Sequence, residues 1–332
     1  MSDRIPLSVL ELAPVERGTA AAGAVAAARE VARWADSAGL HRFWVAEHHN
    51  SGNIASSAPA VLLAAVGAVT ERIRLGSGGV MLPNHPPLVV AESFGTLDAL
   101  HPGRVDLGVG RAPGTDPTTA EALRRVPAER FGSEVDDLIG FVRGSFPPGH
   151  HYEGIRAVPA PAAPPQVWML GASTSSARAA ALLGLPYAFA HHFFGATGAA
   201  EALAAYRAEF RPVSGMARPH AMITAHVVCG EDAEHARWLA APAIMSALGV
   251  GGAGRTEPFA SPKEADAQEW TARQRAEADA IVAAQAIGDA EHVARRLGEL
   301  LVTTGADELM VTNNVTDLDE RIRCYERVRD LL

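Results

Sequence analysis

Apolar, β-branched runs alternate eight times with Ala-rich stretches of helical period, and no other feature constrains the fold as tightly. The runs are Ile5–Leu10, Phe43–Ala46, Ile73–Met81, Val105–Val109, Val167–Leu170, Tyr187–Ala190, Ala221–Val228 and Glu308–Val311. Helical stretches follow at Ala20–Ala38, Ala58–Thr70, Leu88–Leu100, Ser175–Leu183, Ala199–Phe210, Ala233–Leu248 and Glu291–Thr303, with a broken pattern over Thr118–Val142 and a last helix at Leu318–Leu331. A strand followed by a helix, eight times over, predicts an α/β chain folded as a (β/α)8 TIM barrel rather than an open sheet. At 332 residues the chain could hold two average domains, but such barrels run past about 250 residues as one. The expectation is a single domain over 1–332. Two connections exceed what a barrel needs: 112–165 after the fourth strand and 249–286 after the seventh. Long inserts of this kind serve as lids or binding loops, and 249–286 reads as a lid.

Composition removes several chemistries. The net charge of −9 opposes nucleic acid and anionic membrane as partners, and no apolar run reaches the roughly 18 residues of a membrane span. The start, Met1-Ser2-Asp3-Arg4, lacks the apolar segment of a secretory signal, so the expected localisation is cytoplasmic. Cys229 and Cys324 are too few for a disulfide framework or a zinc cluster. Of 29 basic residues only Lys263 is a lysine, and it sits in a polar stretch. Chemistry that needs a lysine amine is therefore disfavoured.

In a barrel of this kind, reacting groups stand where strands end. Those positions are polar here: Glu11, Glu47-His48-His49, Arg111, Ser173-Thr174-Ser175-Ser176, His191-His192 and Asn313-Asn314. Ser173 is a natural N-cap, and the helix start behind it, with hydroxyls on Thr174 and Ser176, can cradle a phosphate. The same residues also suit an ordinary capped helix. Arg111, on the neighbouring strand, supplies a planar fork for an anion, unless it pairs with Asp116. Gly76-Ser77-Gly78-Gly79 interrupts a good strand, either for a ligand that approaches the backbone or for a bulge that helps the barrel close. No Walker or dinucleotide fingerprint occurs. Successive strand residues face opposite ways, so His48 and His49 do not share a metal, and no metal site is expected. One histidine of each pair should face into the mouth.

Phe43-Trp44-Val45-Ala46-Glu47-His48-His49, the run Arg74–Pro86, Pro102–Arg111 and the Ser173–Ser176 turn together resemble the bacterial-luciferase-like flavin monooxygenases, in order and across nearly the whole chain. The similarity is to small single-subunit-type members. The resemblance implies FMN across the barrel mouth, its phosphate on Arg111, Ser173, Thr174 and Ser176, and its ring against Gly78-Gly79, where the family often has a non-prolyl cis peptide. It makes His48 the catalytic histidine. It also implies oxygenation of a small organic substrate by O2 through a flavin C4a-hydroperoxide, with reduced FMN from a separate flavin reductase and a homodimeric assembly. Two alternatives remain open: a deazaflavin (F420)-dependent hydride-transfer oxidoreductase on the same fold, and a non-catalytic flavin-binding protein. The chain lacks an acidic residue before the Ser turn and has glycines where luciferase has alanines, so light emission does not carry over.

Overall fold

The computed structural model describes residues 5–124, 126–161, 163–193, 197–213 and 215–332, which leaves the Met1–Arg4 start outside the described residues. Its centre is a closed ring of parallel strands: β1 (Leu7–Glu11), β2 (Arg42–Val45), β3 (Arg74–Ser77), β4 (Val105–Gly110), β5 (Gln166–Gly171), β6 (Tyr187–Ala190), β7 (Ala221–Cys229) and β8 (Glu308–Thr312). Closure comes from β8, which pairs with β7 (Val311↔Ala225) on one side and with β1 (Leu309↔Leu7) on the other. Helices stand between successive strands, as in a TIM barrel. Among the described residues no helix is long and apolar enough to cross a membrane.

Side-chain alternation decides what fills the ring. Even-numbered residues point inward on every strand, because the register aligns them in layers. The lowest layer is charged. Arg42 bridges Asp106 (2.6 Å) and Glu308 (3.0 Å), Arg74 reaches Asp106 (2.6 Å), and Ser8 donates to Glu308 (2.5 Å). Above it, Leu10, Trp44, Trp168, Ala188, Met222 and Met310 form a dry layer, with the two tryptophans edge-to-face at 5.2 Å. Burying each such large side chain contributes about 1.5–3 kcal/mol, so this layer holds the ring shut as well as filling it.

This packing answers the question posed by the glycine run. A Cβ at Gly76 would fall 2.2 Å from the Trp44 indole, and one at Gly78 would fall 2.5 Å from Leu10. Those two glycines make room for the barrel's own side chains. The expected strand Ile73–Met81 accordingly stops at Ser77; the Gly78–Gly79 peptide is cis, and Val80–Met81 resumes pairing with β4 alone.

Both long connections carry helices of their own. Pro117–Leu123 and Phe131–Arg143 lie between β4 and β5, and Pro262–Asp266 and Ala272–Ala284 lie in 249–286. The latter segment crosses to the loops after β1 and β2: Phe259 N–H donates to Val15 O (2.8 Å) and Gly52 N–H to Arg255 O (2.9 Å). Arg255 then donates to the carbonyls of His49 (3.0 Å) and Gly114, tying the loop after β2 to the loop after β4.

Candidate active site

The end of β2 sends three consecutive residues to different places. His48 continues the inward series Arg42, Trp44, Ala46 into the mouth. Its Nδ1 is buried and has no partner among the described residues. Burial, and then the Arg255 charge, hold its pKa down at about 4, so the ring is neutral near pH 7.

Glu47 and His49 turn outward. Glu47 is buried, and its Oε1 accepts from His85 Nε2 (2.8 Å), His49 Nε2 (2.9 Å) and Asn84 Nδ2 (3.2 Å); its Oε2 accepts from Met81 N–H (3.1 Å). Burial alone would raise the Glu47 pKa, but the bonds from His85, His49 and Asn84 outweigh it and lower it. Among the described residues this is the one group of histidine and acidic side chains with metal-like proximity, its ligand atoms lying within 4.8 Å of one another. The contacts of 2.8 and 2.9 Å are those of two ring N–H donors on one carboxylate oxygen. The cluster reads as a hydrogen-bonded brace on the loop that follows the cis peptide.

Two more imidazoles face inward above the dry layer. His226 lies on β7, opposite Thr312, and burial lowers its pKa to about 4. His192, just past β6, has its Nδ1 2.6 Å from Thr224 Oγ1. Burial, followed by the nearby His226 and His48 rings, lowers His192 to about 3. The sequence singles out His48 and expects one ring of the His191-His192 pair to face the mouth without choosing between them; it misses His226, whose signal was its even place on a strand already recognised. It also missed the part Asn84 and His85 play in the brace. Glu11 leaves the rim, contrary to expectation: it is an outward residue, buried 2.8 Å from Arg321 of the last helix. Of the eighth-strand asparagines, Asn313 accepts from Val315 N–H, while Asn313 Nδ2 and Asn314 Oδ1 are buried without protein partners among the described residues.

The residues expected to bind an anion stand just past the ends of β4 and β5. Helix Thr174–Leu183 starts at Ser173, whose Oγ accepts from Ser176 N–H at 3.3 Å. Ser176 gives its single hydroxyl proton to Ser173 O (2.8 Å) and lies 2.9 Å from Tyr187 OH, so it would have to leave that bond to donate to an anion. The N–H groups of Thr174 and Ser175 have no acceptor within the helix. Because Val109 pairs with Met169, Arg111 emerges beside this helix start. Arg111 is exposed and has no hydrogen-bond or ion-pair partner among the described residues. Asp116, its rival partner, is occupied by Asn50 and Thr119 instead. With no partners among the described residues, the Arg111 guanidinium, the first-turn amides and the Thr174 hydroxyl, together with the helix dipole, make a donor set that could take a phosphate.

The family model described as luciferase-like monooxygenase matches residues 7–308. The chain belongs to the luciferase-like monooxygenase family. Among relatives of this family member, a luciferase-like monooxygenase of Escherichia coli (strain K12) is 38% identical over 335 residues, covering 100% of this chain and 98% of the relative. The N-acetyl-S-alkylcysteine monooxygenase of Bacillus subtilis (strain 168) is 44% identical over 194 residues, 58% of each chain. Among solved structures, that of apo-MsnO8 superposes with a TM-score of 0.86 at 32% identity, covering 99% of this chain and 98% of the other. For a member of a monooxygenase family, molecular oxygen and an organic substrate are the implied reactants.

Proposed function

We propose that this luciferase-like monooxygenase is flavin-dependent, taking reduced FMN from a separate reductase and using O2 to oxygenate a small organic molecule. The observation that carries the reading is Arg111, exposed and without a partner among the described residues, beside the helix start at Thr174. There Arg111, Ser173, Thr174 and the first-turn amides would hold the phosphate, with Ser176 joining if it turns outward. The ring would lie toward Gly78–Gly79 and the neutral His48. Reduced FMN supplies the electrons that make O2 reactive.

The protein's part is positional. The dry layer beneath the mouth and the strap through Arg255 exclude water from the site. His48, neutral and with a buried Nδ1 that has no partner among the described residues, can take a proton or donate one at the reacting centre. The chain as one domain over 1–332, a homodimeric assembly and a cytoplasmic location belong to the same reading. The N-acetyl-S-alkylcysteine monooxygenase relative makes S-alkylated N-acetylcysteines the first substrates to try.

The test has two arms. FMN and F420 are titrated against the purified chain, and tighter F420 binding overturns the cofactor assignment. The chain is then supplied with a reductase, FMN, 18O2 and a substrate panel headed by N-acetyl-S-methylcysteine. The expected result is one labelled oxygen atom in a product; FMN binding without labelled product across the panel leaves a flavin-binding protein instead.

A further inference from the structure

The mouth holds one polar chain whose proton positions the geometry decides. Thr224 Oγ1 lies 3.1 Å from Phe189 O and 2.6 Å from His192 Nδ1. A carbonyl oxygen can only accept, so the single Thr224 proton belongs on Phe189 O, and Thr224 must accept from His192 Nδ1–H. The reverse arrangement would leave two oxygen atoms facing each other at 3.1 Å in a buried place with no proton between them. That would cost as much as an unmade buried hydrogen bond. His192 is thereby fixed with its proton on Nδ1 and a bare lone pair on Nε2.

The ring's direction follows from its anchor. Thr224 is an inward residue of β7, so the imidazole bonded to it lies over the barrel interior, within electrostatic range of both His48 and His226. The ring's one hydrogen bond among the described residues is through Nδ1, which leaves Nε2 without a partner there. We propose that His192 is a substrate-orienting residue whose Nε2 accepts a hydrogen bond from a substrate N–H or O–H group, so that the enzyme selects amides or alcohols over analogues lacking that donor. The idea of a substrate rests on the monooxygenase reading; the tautomer does not. With its pKa near 3, His192 stays an acceptor across the physiological range and cannot supply a cation for a carboxylate. Discrimination follows because a bound molecule that covers Nε2 without donating to it strips that acceptor of water and leaves it empty.

The test begins with the protein without cofactor, labelled with 15N-histidine. The His192 signal, assigned by its disappearance in His192→Gln, should show a protonated Nδ1 and a bare Nε2 at pH 7, and Thr224→Val should abolish that preference. A protonated Nε2 in the wild type overturns the proposal. Calorimetry then compares N-acetyl-S-methylcysteine with its N-methylated amide analogue. The wild type should bind the first about tenfold more tightly, and His192→Leu should remove the difference while FMN affinity stays unchanged. Equal affinities in the wild type overturn the proposal. A tenfold preference without oxygenated product overturns the monooxygenase reading and leaves His192 in its role.

Discussion

Glu47 and His48 are adjacent in the chain, yet one is among the most heavily bonded polar groups at the mouth and the other keeps a ring nitrogen without a partner among the described residues. Alternation along the strand end separates them. Glu47 faces out and gathers His49, His85, Asn84 and the Met81 amide into a brace on the third loop. His48 faces in and joins His192 and His226 as neutral rings above a dry floor. The contrast teaches how to divide a polar rim: Glu47 and its partners hold the loops, whereas the ring nitrogens of His48 and His192 without partners among the described residues are placed for a ligand. Arg111 and the Thr174 helix start belong with the second set.

Substitutions can break this division, and the largest effect should come from the inner side. His48→Ala is expected to lower turnover by about 10²–10⁴, the usual worth of a positioned acid or base, with FMN affinity and unfolding midpoint unchanged. Wild-type rates would remove it as catalyst. Glu47→Ala should instead cost about 3 kcal/mol in urea unfolding, because it strands four buried or half-buried donors. A stable variant with only its activity lost would place Glu47 in the chemistry and collapse the comparison. Arg111→Ala should weaken FMN binding by about 1.5–3 kcal/mol and leave stability alone, as titration by fluorescence quenching would show.

The inner histidines also set an acid limit. Their folded pKa values lie below 6.5, at about 4 for His48 and His226 and about 3 for His192, so the unfolded chain takes up protons first as pH falls. Stability is retained above pH 6.5 and lost from there down toward 4. Glu47, lowered from 4.5, adds a loss only below that value. Unfolding free energies measured across pH 4–7 should fall with this sign, and His226→Gln should flatten the slope. The smallest effect is expected from chelation: EDTA should leave the unfolding midpoint where it is, whereas a drop would turn the Glu47–His49–His85 brace into a metal site.

Much of this was legible because strand and helix write different periods. All eight strands fell where apolar runs stood, and only Ile73–Met81 ended early by more than one residue, since nothing in a run of apolar residues and glycines marks a change of pairing partner after Ser77. Alternation likewise predicted that His48 and His49 part company. What it could not supply was contact between distant segments. The Glu47 brace needs His85 from another loop, Glu11 left the rim because Arg321 waits on a helix 310 positions away, and Arg255 reaches backbone carbonyls that carry no residue identity. Ser176 was a fair choice from its place in the turn, but its inward bond depends on Tyr187 from the next strand.

The ionic layer at the base of the ring has a consequence for traffic. Arg42, clamped between Asp106 and Glu308 with its guanidinium 4.8 Å from the centre of the Trp168 ring, stoppers that end of the cylinder. Arrivals and departures alike must use the opposite end, so the proposed flavin and its substrate would share one doorway.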